Sequence, residues 1–344
     1  MLIAIGYQST ANTARGAGTI VPHGSINVTM TEPTGLQSVA VLGATGATGR
    51  AVAEELVRRQ IPTRVVSRSE ANLREAFDRL PVDRLAADLV DPDATRRAVP
   101  GHDGVIVCLG LPPSRFGQYP AIARSIAAAI QDEHAHGVLV SSYWSYSPVR
   151  YVPIDEDHPR RPTASLARLR KEQEDILCDA GACVAMLPDF FGPGVRPRHS
   201  MINDAWAATR RGRRAAWFGN PDAERDFLYV PDVGPILVEL AMRRQGAGQR
   251  VNVPGSGHAT PRALIEMAAE RVGTRPRIQR IGPALAWLAG LLVPDVRALR
   301  PLLPLYERAA WMSGERLEAM IGSTGRTSYE DALMPTLESL EAQA

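Results

Sequence analysis

The segment Gly43-Ala44-Thr45-Gly46-Ala47-Thr48-Gly49 constrains this chain more than any other. It follows the short apolar run Val39–Leu42 and precedes an amphipathic stretch, Arg50–Arg59, with Val52 and Leu56 on one face. Glycines here let the backbone turn tightly and let its N–H groups approach a pyrophosphate. The helix that follows would direct the positive end of its dipole at the same anion. A glycine pattern alone is weak evidence, but the strand–loop–helix context is the condition that gives it meaning.

The rhythm continues beyond this unit. Thr63–Ser67, Arg84–Ala87, Gly104–Leu109, Gly137–Ser141 and Cys183–Leu187 read as strands. Between them, Asn72–Leu80, Ala94–Val99, Ile122–Gln131 and Leu166–Ala180 read as helices. Such alternation implies a parallel sheet covered on both faces, the doubly wound α/β Rossmann arrangement, with ligands at the carboxyl ends of the strands. After Pro188 the pattern becomes irregular. Helices at Met201–Arg211, Pro231–Met242 and Pro261–Val272 surround a short strand at Asp226–Val230. The expected organisation is a disordered extension over residues 1–36, a dinucleotide-binding domain over 37–188, and a smaller α-rich substrate region over 189–344 that partly returns to the sheet. The domain is expected to need nothing before about Met30, which is the expected biological start.

The end of the second strand bears on which dinucleotide is bound. NAD binders place an acidic residue about 20 residues past the loop, to bond the ribose 2′-hydroxyl. This chain has Ser67-Arg68-Ser69 there, and Arg50 directly after the last loop glycine. A guanidinium matches a 2′-phosphate in shape and charge, so NADP is expected ahead of NAD. Gly43, Thr45, Gly46, Ala47, Thr48 and Gly49 would surround the pyrophosphate. Asp88 and Leu89 would meet the adenine, and Leu109 and Gly110 the cofactor ribose.

Other features set limits. The 344 residues carry 39 basic and 37 acidic side chains for a net charge of +2, which predicts no general affinity for nucleic acid or anionic membrane. The three cysteines form no CxxC pair and suit a reducing cytoplasm, and no metal-ligand spacing occurs. The longest apolar stretch, Ile281–Val293, is short of the roughly 18–20 residues that span a bilayer. It is expected to be a packed helix of the second domain, with peripheral membrane contact as the other reading. The basic run Arg210-Arg211-Gly212-Arg213-Arg214 is expected to be a solvated helix terminus.

Four landmarks together resemble the extended short-chain dehydrogenases/reductases, the NAD(P)-dependent epimerase/dehydratase group, over about Ser38 to Leu340. They are the glycine loop, Ser141-Ser142 ending a strand, Gly192-Pro193-Gly194 after Asp189-Phe190-Phe191, and Arg225-Asp226-Phe227-Leu228-Tyr229-Val230-Pro231-Asp232-Val233. That family uses a Tyr-x-x-x-Lys pair and a nearby Ser or Thr. The ammonium lowers the phenol pKa and holds the nicotinamide ribose. Here Lys171 matches the lysine, Glu174 a following glutamate, and Ala167 the tyrosine, so a methyl group stands where the proton carrier belongs. Tyr143 takes a serine position after Ser142, and Tyr146 matches a tyrosine common in the family.

Three routes stay open. Tyr143 or Tyr146 supplies the displaced phenol; the proton comes from substrate or water; or the protein is a cofactor-binding sensor or redox-neutral scaffold without hydride chemistry. The resemblance also implies Pro188 beside the nicotinamide, Phe190 and Arg225 against a small-molecule substrate, and a homodimer. Arg225 has a second reading as the structural ion-pair partner of Asp226.

Overall fold

The computed structural model describes residues 35–196 and 199–342. The expectations for a disordered extension and a start at Met30 fall on positions 1–34, outside the described residues, except for Gly35 and Leu36, which precede the first strand.

The sequence signals translate into a regular alternation. Strand β1 (Val39–Leu42) leads to α1 (Ala47–Arg58), β2 (Thr63–Ser67), α2 (Glu70–Phe77), β3 (Asp83–Ala86) and α3 (Pro92–Ala98). Then come β4 (Gly104–Val107), α4 (Tyr119–Asp132), β5 (His136–Ser142), α5 (Ser165–Asp179) and β6 (Cys183–Leu187). Helix starts follow their capping residues. Ser69 accepts a bond from the Asn72 N–H, and Asp91 from the Asp93 N–H with Pro92 next in line. Helix α1 begins at Ala47, inside the glycine motif and ahead of the expected Arg50.

The seven strands lie in the order β10-β6-β5-β4-β1-β2-β3, where β10 is Arg250–Asn252, and every pairing is parallel. Strand order reverses at β1, between β2 and β4, which opens a crevice at their carboxyl ends. Successive β1 residues serve opposite cores. Val39 and Val41 join one buried cluster with Val52, Leu56 and Leu237, whereas Ala40 and Leu42 join the other with Ile122, Ile126 and Leu139. Burial on both faces explains why the central strands read as continuous apolar runs. At the sheet edge, β3 is largely exposed and carries Asp83 and Arg84.

The C-terminal half contributes β7 (Asp189–Phe191), α6 (Met201–Arg210), β8 (Ala215–Phe218), β9 (Arg225–Tyr229) and α7 (Val230–Met242). Beyond β10 lie β11 (His258–Ala259), α8 (Pro261–Arg271), β12 (Ile278–Ile281), α9 (Pro283–Leu292) and α10 (Pro294–Leu299). The chain ends with α11 (Leu303–Tyr306), α12 (Glu315–Ile321) and α13 (Tyr329–Ala342). Helix α7 crosses α1 at close range: a Cβ on Gly234 would lie 2.4 Å from the Ala51 carbonyl oxygen. A separate core of Phe191, Trp206, Trp217, Phe227 and Tyr329 fills the second half. Three short strand pairings there, β7–β9, β9–β11 and β8–β12, exceed the single strand expected from sequence. Among the described residues no helix is long and apolar enough to cross a membrane.

One expectation needs correction. The apolar stretch 281–293 does form a helix, α9, but it is not packed inside: only Ala286 and Gly290 are buried along it. Between Pro283 and Pro294 its large side chains Trp287, Leu288, Leu291 and Leu292 stay exposed, whereas α6, of the same length, buries Ile202 and Trp206 in the second core.

Candidate cofactor and substrate site

The glycines of the loop divide by cause. Gly43 has φ +84°, and a Cβ there would sit 2.9 Å from the Cys108 carbonyl oxygen. A Cβ on Gly49 would sit 2.6 Å from the Gly43 carbonyl oxygen, so helix and strand pack only because it is absent. Gly46 is exposed, and a Cβ there would meet nothing closer than 3.5 Å. The protein's own packing does not require glycine at 46, and the exposed position leaves room for a ligand to approach the backbone.

Gly46 is also the N-cap of α1 and provides no side-chain cap. The first N–H groups of a helix have no intrahelical partner, so this end is left as a site for an anion. The residues present therefore fit a dinucleotide pyrophosphate. Thr45 is pinned by a 2.8 Å bond between its hydroxyl and that of Ser67 at the end of β2. Thr48 is buried beside Cys108, whose thiol burial pushes up to about 12.

The expected cation pair differs in its commitments. Arg50 forms an ion pair with Glu54 at 2.8 Å, whereas Arg68 is exposed with no partner among the described residues. A groove of about 1220 Å³ meets the loop on this side, lined by Thr45, Gly46, Ala47 and Arg50, with Pro193, Gly194 and Arg196 opposite. Asp88 turns back on its own loop, accepting from the Val90 N–H at 3.2 Å, and Leu89 is buried. The Leu109 carbonyl receives the Tyr119 hydroxyl at 3.3 Å. Open space lies where a Gly110 side chain would be.

At the end of β5, Ser141 and Ser142 lie in different surroundings. The Ser141 hydroxyl donates to Glu174 at 2.5 Å, and Arg160 closes on the same carboxylate. Among the described residues the Ser142 hydroxyl is buried without a partner, which suits a group arriving from the crevice.

Tyr143 lies at the centre of a buried polar cluster. Its hydroxyl donates to Asp189 Oδ2 at 3.1 Å and receives a hydrogen bond from Arg225 Nη2. The Tyr306 hydroxyl donates to Asp189 Oδ1 at 3.2 Å and receives the Trp144 indole N–H at 3.1 Å. The Arg225 guanidinium lies 4.5 Å from the centre of the Tyr306 ring. It also donates to the Leu305 and Arg308 carbonyls. Burial pushes the Tyr143 phenol well up, against the pull of Arg225, and raises the Asp189 carboxyl as well. Both groups therefore hold their protons more firmly than in water.

Tyr146 occupies a different position. Its ring is fully buried and its hydroxyl donates to Asn252 Oδ1 at 2.9 Å, under the β10 edge of the sheet. Pro188 is buried directly after β6, and Phe190 is half-buried on β7. Arg225 is 1% exposed. The neighbouring Asp226 accepts instead from the Gly255 and Met312 N–H groups at 3.1 and 3.4 Å. Burial lifts it to about 6.

Helix α5 sorts its cations by face. Leu166, Ala167, Arg170, Gln173, Glu174, Leu177 and Cys178 form its buried stripe. Lys171 falls off that stripe and pairs with Asp175 at 2.6 Å, a carboxylate shared with Arg160 and Arg250. Arg170 points inward, donating to Gln173 and to the Val140 carbonyl, 4.8 Å from the centre of the Tyr119 ring. The i,i+3,i+4 stripe was the available signal for Arg170. Tyr306 had none, because it joins the cluster from a segment far along the chain.

Comparison with known proteins accords with this geometry. The family model described as NAD(P)H-binding matches residues 43–179. Among solved structures, the UDP-glucuronic acid 4-epimerase from Bacillus cereus in complex with NAD is similar at 13% identity. Its TM-score is 0.73, covering 89% of this chain and 99% of that one. The dTDP-glucose 4,6-dehydratase from Bacillus anthracis str. Ames, also in complex with NAD, gives 13% identity and a TM-score of 0.74 over 89% and 97%. A Bordetella bronchiseptica enzyme, WbmH, in complex with NAD+ gives 16% identity and a TM-score of 0.70 over 89% and 98%. No curated protein matches by sequence. Residues 43–179 thus match the NAD(P)H-binding family model, and the chain shares its overall fold with these NAD-bound structures.

Proposed function

We propose that the protein is an NADP-dependent oxidoreductase or epimerase-like enzyme acting on a small organic molecule. The observation that carries this is the uncapped start of α1 behind a glycine loop, at the point where the order of the parallel strands reverses. When bound, the cofactor supplies hydride transfer. Gly46, Ala47 and Thr48 hold its pyrophosphate, and Arg68, with its guanidinium uncommitted, meets the 2′-phosphate. Arg50 joins it by exchanging Glu54 for that anion.

On the substrate side, Ser142 offers an unpaired hydroxyl next to Tyr143. Tyr143 stays protonated between Asp189 and Arg225, and would donate to a developing alkoxide as the Arg225 guanidinium offsets the burial that raises its pKa. That favours carbonyl reduction over proton abstraction. Both adjacent cations on α5 have partners, Lys171 in Asp175 and Arg170 in Gln173 and the Val140 carbonyl; Arg170, on the inward face, is the one we place toward the nicotinamide ribose.

A second reading is favoured by one specific observation. The matched tyrosine position is Ala167, fully buried, and the nearby phenols are buried too, Tyr143 at 3% and Tyr146 at 0% exposure. A cofactor-binding sensor needs no exposed proton carrier. NADPH fluorescence titration followed by stopped-flow oxidation with a panel of aldehydes and ketones separates the two. Tight binding with turnover supports the enzyme; tight binding with none across the panel supports the sensor.

A further inference from the structure

Helix α9 carries a side of the molecule that the dinucleotide chemistry leaves unused. Eight large apolar side chains are exposed among the described residues, and six of them lie between Leu285 and Val293. Trp287, Leu288 and Leu291 are each more than half exposed, and Leu292 is 86% exposed. No charged residue interrupts the helix. Its flanks are arginine-rich: Arg275, Arg277 and Arg280 precede it, and Arg297, Arg300 and Arg308 follow. Over residues 275–308 these six arginines face two acids, Asp295 and Glu307, a local charge of +4 in a chain whose total is +2.

We propose that α9 docks on an anionic membrane surface, lying in the interface plane with Trp287, Leu288, Leu291 and Leu292 inserted between headgroups and acyl chains. Ten residues make a helix about 15 Å long, too short to span a bilayer but suited to lie on one. Tryptophan at the edge of such a face prefers the headgroup level, and the arginines on both flanks match anionic headgroups.

A second copy of the chain fits less well. A two-fold contact through α9 would set one arginine-rich rim against the other, and a single short helix offers much less than the roughly 800 Å² per partner of a stable interface. Docking also has a consequence for the site. Helix α10 and the turn at Arg300–Leu302 run from α9 directly into α11, which carries Tyr306 of the buried cluster. The surface held against the bilayer is thus on the segment that forms the wall behind Tyr143. The inference is independent of the proposed chemistry.

Co-sedimentation of the full chain with phosphatidylcholine vesicles, with and without phosphatidylglycerol, tests it. The protein is expected to sediment with the anionic vesicles, to release as salt rises, and to show a blue shift in emission that Trp287→Phe removes. The double change Leu291→Glu, Leu292→Glu should lower the bound fraction at least about tenfold. Arg297→Gln with Arg300→Gln should weaken binding to anionic vesicles alone. Melting curves establish that these variants are folded, and Leu288→Gln repeats the test with a neutral change. Three outcomes overturn the proposal: no sedimentation with anionic vesicles, binding unchanged in the glutamate variant, or a dimer without vesicle binding that the glutamate variant dissolves.

Discussion

Tyr143 Oη donates to Asp189 Oδ2 at 3.1 Å while receiving a hydrogen bond from Arg225, which ties the end of β5 to β7 and β9 through a single phenol. Arg225, which the resemblance sets against a small-molecule substrate, is here enclosed by two tyrosines, a carboxylate and two carbonyls. The buried cation is thus compensated from within by hydrogen bonds and an aromatic face.

Tyr143 and Tyr146 can be told apart by one pair of variants. Tyr143→Phe leaves Asp189 and Arg225 each short of a partner, so it should cost about 1–3 kcal/mol of stability and also abolish most turnover. Tyr146→Phe breaks only the bond to Asn252, at a similar cost of about 1–3 kcal/mol, with turnover retained. Urea denaturation alongside NADPH oxidation checks both. Full turnover in Tyr143→Phe would remove the phenol from the mechanism.

The loop glycines make a steric prediction. Gly49→Ala would drive its methyl group into the Gly43 carbonyl and the Ala44 backbone. The cost should be about 1–3 kcal/mol, typical of overpacking, read as a lower urea midpoint. Gly46→Ala meets nothing closer than 3.5 Å, so it should leave the midpoint nearly unchanged and weaken NADPH binding instead.

Asp226 predicts a pH effect with a definite sign. Its folded pKa of about 6 lies above the ordinary value of 3.8, because burial disfavours the charge. The folded state therefore binds the proton more tightly than the unfolded chain between these values. The stability from that proton is complete below pH 3.8 and is lost as pH rises through 6. Asp226→Asn removes this dependence. The variant's urea midpoint relative to wild type should rise from pH 4 to pH 6.5, and a flat difference would contradict the assignment.

Much of the first half was legible because local rules agree there. Val39–Leu42, the glycine loop and Thr63–Ser67 give strand, turn and strand by composition alone, and burial on both faces reinforces each apolar run. The site was less legible, because its parts meet across long chain separations. Nothing near Tyr306 signals that it will reach Asp189, and Arg170 was hidden beside Lys171, its distinction visible only in the stripe of α5. Helix α9 misled for a simpler reason: an apolar run states that a segment avoids water, not which surface covers it.

The central claim is that the start of α1 and Arg68 together grip a phosphorylated dinucleotide. Titration of the purified chain with NADPH and NADH, repeated on Arg68→Ser, tests it most directly. The expected result is saturable binding of both, with NADPH tighter, and a loss of at least about tenfold in NADPH affinity alone when the charge-assisted bond is removed. A folded protein that takes up neither nucleotide, or whose NADPH affinity is untouched by Arg68→Ser, would contradict it.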